Sequence, residues 1–178
     1  MNKKLVGAGV AVLVVAAVGF ASVSMDSGGV GEASELEPAG NWSSVEMTDV
    51  NSGETYTVSD LDKPVVVEPF AAWCSTCLRQ QKEMAEVQDS ADVSFVSLNV
   101  DRNEGSEKVR RHAERNDFDW RYSVVSASVL RSLQSQFGPS VVIPPRAPKV
   151  VLCDEGTTRL SNGVKSGEKV LEEVENAC

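Results

Sequence analysis

Two cysteines separated by two residues lie where a strand-like segment gives way to a helix-like one. Cys74 and Cys77 form the motif WCSTC, after the apolar run 65–67 and before the helix-like stretch 78–87. This placement puts the first thiol at a helix N-terminus, where unpaired amides and the helix dipole favour the thiolate. The second thiol lies one turn along the helix and can attack a mixed disulfide formed by the first. The sequence therefore predicts a dithiol–disulfide exchange site, with Cys74 as the nucleophile and Cys77 as the resolving thiol.

The size and charge of the chain limit what else it can be. Its 178 residues suit one domain of ordinary size with appendages. A formal net charge of −9 and an isoelectric point near 4.7 argue against nucleic acid as a partner and against docking on anionic lipid headgroups.

The first 24 residues differ in character from the rest. Lys3 and Lys4 precede an uncharged run over residues 5–23 that is rich in Val, Ala and Gly. At about 1.5 Å per residue the run spans roughly 28 Å, near the thickness of a bilayer's hydrocarbon core. Residues 1–24 are therefore predicted to form an uncleaved membrane anchor. Cleavage after Ala21 or Ser24 is the alternative, and it would give a secreted protein.

The charges around the apolar run predict its orientation. Positive residues precede the run and acidic residues follow it, which places the N-terminus in the cytoplasm and the remainder outside. Residues 25–41 contain Gly, Pro and scattered Glu without apolar periodicity, and they are predicted to form a flexible linker. The folded domain is predicted to cover residues 42–178.

Hydrophobic periodicity and turn signals predict the elements of this domain. An N-terminal hairpin is expected from residues 45–49 and 55–58, around the turn sequence NSGE. The further predicted strands are 65–70, 93–100, 149–153 and 158–160, and the predicted helices are 74–89, 104–115, 126–137 and 166–176. This order predicts an α/β fold with a mixed central sheet flanked by helices on both faces.

Several of these segments together resemble a known family. The matching motifs are KPVVV, FAAWCSTC, LNVD, APKVVL and DEG, at residues 63–67, 70–77, 98–101, 147–152 and 154–156. In this order they resemble thioredoxin-fold proteins of the membrane-anchored TlpA/ResA-like type. The resemblance covers residues 42–178 and implies a thioredoxin fold.

The resemblance also implies a binding site for the partner chain. In this family a cis-proline before a late strand sits against the CxxC motif, and its neighbours help to bind the partner. Pro148, preceded by Ala147, takes that place, although Pro144 and Pro145 compete for it. Trp73 flanks the cysteines and is expected to shield one side of them.

Glu68 lies six residues before Cys74 on a strand predicted to be buried. A lone buried carboxylate is costly unless it is used. The resemblance implies a catalytic use, because thioredoxins carry a buried acid here that shuttles the proton of the resolving thiol, Cys77. The alternative is a structural role in which Glu68 caps the strand edge or pairs with Lys63 there.

Cys153 and Cys178 are the other two cysteines. In a thioredoxin-like fold, the strand ending at Cys153 and the final helix ending at Cys178 finish at the same end of the molecule. The resemblance therefore implies a structural disulfide between them, which an oxidising compartment would preserve. Two unpaired thiols are the alternative.

His112 is the only histidine. Because it falls among Arg110, Arg111 and Arg115 in a charged helix, it is predicted to be a solvated side chain without a catalytic role. Its isolation also argues against a Cys–His pair of the protease kind.

These features favour a thiol–disulfide oxidoreductase that acts on protein cysteines outside the membrane. The Ser75-Thr76 dipeptide supplies no histidine to stabilise the thiolate, which favours a moderately reducing couple. The resemblance implies protein thiols and disulfides as partners, an upstream membrane or soluble electron donor, no cofactor and a monomeric state.

The alternative is a metal-delivery module, a copper carrier of the Sco kind, which shares the thioredoxin fold. That family has three residues between its cysteines and a distant histidine, whereas two residues separate Cys74 from Cys77 and no histidine lies near the matching late loop. A structural zinc site would need all four cysteines to converge, so no metal is expected.

Overall fold

The computed structural model describes residues 41–89 and 92–178. The predicted anchor over residues 1–24 and all but the last residue of the predicted linker lie outside the described residues. Within the described part of the chain, no helix combines the length and the apolar character needed to cross a membrane.

The described residues form seven strands and four α-helices. The strands are β1 (Met47–Thr48), β2 (Thr55–Tyr56), β3 (Val65–Phe70), β4 (Ser94–Asn99), β5 (Arg121–Val124), β6 (Val150–Cys153) and β7 (Gly156–Arg159). The helices are α1 (Ser75–Ala85), α2 (Ser106–Arg115), α3 (Ala127–Phe137) and α4 (Gly167–Ala177).

Five of the strands form one mixed sheet in the order β5-β4-β3-β6-β7, and β1 pairs with β2 in a separate antiparallel ribbon. The central strand β3 runs parallel to β4 and antiparallel to β6, and all six of its residues are buried. The parallel β3–β4 pair is joined through α1, as a crossover connection requires. This arrangement confirms the predicted fold class.

Alternation along β3 divides the core into two layers. Val66 and Phe70 face the layer that contains residues of α1, α2 and α4, whereas Val65 and Val67 face the layer that contains residues of α3. Because successive side chains of a strand point to opposite faces, a continuous apolar strand fits only between two covered faces. Glu68 lies between Val66 and Phe70 on the α1 side, so this carboxyl is carried into the core.

Strand β5 was not predicted. It contains only four residues, Arg121 to Val124, and it forms an edge of the sheet beside β4. Of these residues only Tyr122 and Ser123 are buried, so the segment has neither the length nor the apolar run that marks a strand.

Helix α1 is held close to α4 by a glycine. A Cβ atom on Gly167 would lie 2.4 Å from the Glu83 backbone oxygen and 2.6 Å from Val87 Cγ1. Only glycine therefore allows the start of α4 to approach the last turn of α1 at this distance. This contact fixes the far end of the helix that begins at the cysteines.

Candidate active site

The site begins at the first turn of α1. Cys74 is the N-cap residue of α1, and the backbone N–H of Cys77 donates to Cys74 Sγ at 3.1 Å. The two cysteines form a disulfide with their Cα atoms 5.3 Å apart. After reduction the same N–H and the helix dipole would stabilise a thiolate on Cys74, which is the condition for nucleophilic attack on a disulfide.

The two cysteines differ little in exposure in the oxidised protein. Cys74 is 2 % exposed and Cys77 is 0 % exposed. Trp73 beside them is 57 % exposed, and its Nε1 donates to Asp101 Oδ2 at 2.5 Å. This bond, after a larger contribution from the backbone N–H of Asn103, lowers the pKa of the Asp101 carboxyl. The indole of Trp73, the residue that precedes Cys74, therefore lies largely on the surface.

A buried carboxylate that the sequence analysis missed holds the loop before the cysteines. Glu104 Oε2 accepts hydrogen bonds at 2.7 Å from both the Ala72 backbone N–H and Asn99 Nδ2. Lys108 Nζ lies 2.7 Å from Glu104 Oε1. Burial alone would raise the pKa of Glu104, but the bonds from Lys108, Ala72 and Asn99 together lower it. Glu104 is therefore a charged anchor for the loop that carries Trp73.

The proline segment against the cysteines differs from the prediction. The carbonyl oxygen of Pro144, not a group of Pro148, lies 3.3 Å from Cys77 Sγ. Pro144 begins a 3-10 turn, Pro144–Arg146, that packs against the start of α1. In the reduced protein the Cys77 thiol could donate to this oxygen.

The prediction of a cis bond before Pro148 is wrong. Among the described residues the cis peptide bond is Lys63–Pro64. Ala147 instead adopts a left-handed conformation, with φ 45° and ψ 56°, and this residue redirects the chain from the 3-10 turn into β6. The side chains of Ala147 and Pro148 are both buried, so the accessible part of this segment is Ile143, Pro145 and Arg146.

Glu68 lies beneath α1. Its Oε2 atom accepts from Gln81 Nε2 at 2.9 Å and from Ser97 Oγ at 3.4 Å. Its Oε1 atom has no hydrogen-bond partner among the described residues. Burial raises the pKa of Glu68, and the Gln81 bond, the charge of Lys149 and the Ser97 bond pull it back down.

The proposed pairing of Glu68 with Lys63 is wrong. Lys63, its proposed partner, pairs with Asp154 at 3.6 Å, and β3 carries Glu68 inward and away from the strand edge. The carboxyl therefore has no surface cation, and its environment is the buried one that a proton acceptor near a thiol requires.

A buried lysine also lies near the site. Lys149 immediately precedes β6, and its Nζ atom is hydrogen-bonded inside the protein. The sequence pattern predicts Lys149 only as the first residue of a strand. One signal was available, because Lys149 alternates with Val151 and Cys153 on the face that packs under α1.

The prediction of a solvated His112 is wrong. The ring is 3 % exposed, its Nε2 lies 2.7 Å from Gln81 Oε1, and its centroid is 5.4 Å from that of Phe70. Helical spacing explains the error, since His112 shares the inner face of α2 with Val109 and Ala113 while the arginines point outward. Because Gln81 uses its amide N–H on Glu68, His112 Nε2 is the donor in the second bond. Burial lowers the pKa of His112.

The second cysteine pair lies at the other end of β6. Cys153 and Cys178 are joined by a disulfide with their Cα atoms 5.4 Å apart. It links the last residue of β6 to the residue that follows α4. Among the described residues, no group of three or more His, Cys, Asp or Glu side chains could hold a metal ion.

No protein-family model matches the sequence, and no curated protein matches it. Solved structures do match the fold. A thiol:disulfide interchange protein of the thioredoxin family from Chlorobium tepidum is 20 % identical, with a TM-score of 0.61 over 75 % of this chain and 92 % of that one. A thioredoxin-related protein from Neisseria meningitidis is 15 % identical, with a TM-score of 0.60 over 74 % of this chain and 98 % of that one.

A secreted disulfide oxidoreductase from Mycobacterium tuberculosis is a third match, 14 % identical, with a TM-score of 0.59 over 76 % of this chain and 97 % of that one. The chain therefore has a thioredoxin-like fold. At these identities the likeness concerns the fold, and the chemistry has to be argued from the residues of the site.

Proposed function

We propose that this protein is an extracytoplasmic thiol–disulfide oxidoreductase that reduces disulfides in partner proteins through Cys74 and Cys77. The observation that carries the proposal is the position of the pair, with Cys74 as the N-cap of α1 and a buried carboxyl, Glu68, beneath the same helix. The structural neighbours described as disulfide interchange and disulfide oxidoreductase proteins support it.

The reaction proceeds in two exchanges. The Cys74 thiolate attacks one sulfur of a partner disulfide, which forms a mixed disulfide and releases the partner's other sulfur as a thiolate that takes up a proton from solvent. Cys77 then loses its proton and attacks Cys74 Sγ. The Cys74–Cys77 disulfide forms, and the second partner thiolate leaves and is protonated. Two electrons have passed to the partner, and an upstream dithiol restores the reduced pair.

Glu68 is the proposed acceptor of the Cys77 proton. Gln81, which donates to Glu68, lies four residues after Cys77 and hence on the same face of α1. The free Oε1 atom of Glu68 leaves one acceptor site available. A carboxyl whose pKa is raised toward neutrality is suited to accept and release a proton at physiological pH.

The reducing direction is supported by the residues between the cysteines. Ser75 and Thr76 bring no positive charge to the first turn of α1, so the thiolate is stabilised by the backbone and the helix alone. A couple without additional thiolate stabilisation is a weaker oxidant.

The partner is proposed to bind across the exposed apolar groups around the pair. The large apolar side chains that the described residues expose are Trp73, Ile143 and Val164. Trp73 precedes Cys74, and Ile143 precedes Pro144, whose carbonyl touches Cys77. Ala147 and Pro148, the predicted binding residues, would then act by shaping this segment from within. The proposed location outside the membrane rests on the N-terminal apolar run and its flanking charges.

The function is tested by reduction of insulin disulfides with dithiothreitol as the electron source, in the presence and absence of a chelator. We expect turnover that survives chelation and is lost in Cys74→Ser, with Cys153→Ser/Cys178→Ser as the matched control that retains it. Loss of turnover on chelation, or a Cys74→Ser variant as active as the parent, would contradict the proposal.

A further inference from the structure

Lys149 joins three segments that surround the cysteine pair. The side chain is 0 % exposed, and its Nζ donates to Gln80 Oε1 at 3.0 Å, to the Ala147 carbonyl at 3.0 Å and to the Gly163 carbonyl at 2.9 Å. A lysine without solvent is costly, because burial opposes its charge. A buried lysine is therefore expected either to have a function or to lie near a negative charge that offsets this cost.

The three acceptors show which protonation state the fold is built for. An ammonium group has three N–H donors, whereas a neutral amine has two. All three partners of Lys149 are oxygen acceptors, so only the ammonium satisfies them together. Burial lowers the pKa of Lys149, and the nearby Glu68 carboxyl acts in the opposite direction. The geometry therefore requires a positive charge here even though the surroundings are buried.

Each acceptor belongs to an element of the site. Gln80 lies three residues after Cys77 in α1, and it also accepts from the Lys165 backbone N–H at 2.9 Å and donates to the Lys165 carbonyl at 3.2 Å. Ala147 ends the segment that begins with Pro144, whose carbonyl lies against Cys77 Sγ. One ammonium group thus ties the cysteine helix to the segment that faces it.

The third acceptor closes the same arrangement from the loop before α4. Gly163 accepts from Lys149 through its carbonyl and donates through its N–H to the Arg146 carbonyl at 2.8 Å. Two neighbouring segments, residues 144–147 and 163–165, are therefore fixed to each other and to α1 around Lys149.

The sheet register brings the ammonium close to Glu68. Val67 and Val150 form the last pair of the antiparallel β3–β6 ladder, and Glu68 and Lys149 occupy the next position on each side of it, on the face under α1. The other charges that act on Lys149 are Lys165 and Glu173, which form an ion pair of 3.0 Å. Since those two charges oppose each other, Glu68 is the carboxylate that Lys149 complements.

We propose that Lys149 is a positioning residue for the redox reaction: it holds the segment 144–147 against α1, and its positive charge favours the ionised form of Glu68, the form that can accept the Cys77 proton. This inference rests on the proposed oxidoreductase function. It assigns the supporting cation of the site to the start of β6, directly after the predicted partner-binding residues Ala147 and Pro148.

The test is the pH dependence of insulin reduction by the full chain. In Lys149→Met the loss of the positive charge raises the pKa of Glu68. The ionised fraction of Glu68 is then lower at a given pH, so the rate of insulin reduction increases only at higher pH. We expect the midpoint of the profile to move up by about 1 pH unit and the rate at pH 7 to fall about tenfold. Lys149→Arg, which keeps the charge, should keep the midpoint, as should the exposed control Lys169→Met.

The pathway through Glu68 is tested by combining variants. If Lys149 acts on Glu68, Lys149→Met adds no shift of the midpoint in a Glu68→Gln background. An unchanged midpoint in Lys149→Met, or an equal shift in both backgrounds, would overturn the inference. A wild-type protein that fails to reduce insulin would instead overturn the oxidoreductase proposal, so the two failures are distinguishable.

A measurement on the wild-type protein covers the case in which Lys149→Met does not fold. ¹⁵N-lysine NMR of the full chain at pH 7 should show Lys149 Nζ as a slowly exchanging ammonium whose resonance moves when the Cys74–Cys77 disulfide is reduced. A neutral amine at pH 7, or a resonance that ignores the redox state, would refute the assignment.

Discussion

The two disulfides of this protein have almost the same span and very different settings. Their Cα atoms are 5.3 Å apart in Cys74–Cys77 and 5.4 Å apart in Cys153–Cys178. The first closes a sequence separation of 3 and the second a separation of 25. The Cα–Cα span therefore does not distinguish the two disulfides, and their roles have to follow from loop length and from the groups around the sulfurs.

The surroundings assign opposite roles to the two pairs. Cys74 caps a helix N-terminus, where a thiolate is stabilised, and ionisable groups lie beneath it. Cys178 follows the C-terminal end of α4, where the helix dipole disfavours a negative charge. The second pair also closes a longer loop, and in the chain-entropy model a longer loop gains more stability from its cross-link. One pair is thus suited to exchange and the other to hold the fold.

The largest expected effect separates stability from activity. Cys153→Ser/Cys178→Ser should lower the free energy of unfolding by about 3.5 kcal/mol in the chain-entropy model and leave insulin reduction intact at a temperature where the variant is folded. Urea unfolding of the oxidised proteins measures the loss, with Cys74→Ser/Cys77→Ser as the matched control, for which a much smaller loss is expected. An equal loss in both double variants would remove the distinction between the pairs.

Glu68→Gln should slow release of the mixed disulfide by about 100-fold, which is at the low end of the effect expected for loss of a general base. The fold should be kept, because the amide oxygen of the new side chain can still accept the hydrogen bond from Gln81. Stopped-flow decay of a mixed disulfide formed on Cys74, with Cys77 intact, measures the step. Glu172→Gln, an exposed change on α4, is the control. Unchanged decay across neutral pH would reduce Glu68 to a structural residue.

The sulfurs should also differ in chemical reactivity. Mild reduction should open Cys74–Cys77 first, after which limiting iodoacetamide should label Cys74 about tenfold faster than Cys77, because only Cys74 occupies the helix N-terminus. Peptide mapping by mass spectrometry reads both results and should recover a linked Cys153–Cys178 peptide. Preferential labelling of Cys77 would reverse the assigned roles, and free alkylation of Cys153 in unreduced protein would exclude the second disulfide.

The smallest effect concerns pH and the groups under the first pair. Burial lowers the pKa of His112 in the folded protein, so the unfolded chain binds the proton more readily. Stability from the neutral ring is therefore complete above the unfolded pKa of about 6.5 and is lost as the pH falls below it. Urea unfolding at pH 7 and pH 5 should show a smaller pH-dependent loss in His112→Gln than in the parent. An identical pH dependence would mean that the buried ring does not titrate on unfolding.

Local patterns in the sequence predicted much of the fold. The CxxC motif, the buried strand at residues 65–70 and the helix after it follow from apolar runs and turn signals, and they place the cysteines correctly. Strand β5 was not predicted, because a four-residue edge strand with two buried residues shows little hydrophobic periodicity.

The surroundings of the site were harder to predict because they depend on long-range contacts. The burial of Lys149 requires acceptors at residues 80, 147 and 163, which no local pattern joins. Pro148 was expected to lie against the cysteines by analogy with the family. In the structure Ala147 has a left-handed backbone, and the carbonyl of Pro144 contacts Cys77 instead. For His112 the neighbouring arginines were given more weight than its spacing from Val109, although the spacing carried the correct answer.

The exposed indole of Trp73 has a photophysical consequence. The other two tryptophans, Trp42 and Trp120, are buried at 0 % and 9 % exposure, so their emission lies at shorter wavelength than that of a solvated indole. Trp73 alone adjoins the Cys74–Cys77 disulfide, and a nearby disulfide quenches indole emission. The long-wavelength part of the protein's own fluorescence is therefore a built-in optical signal of its redox state, which brightens on reduction without any added dye.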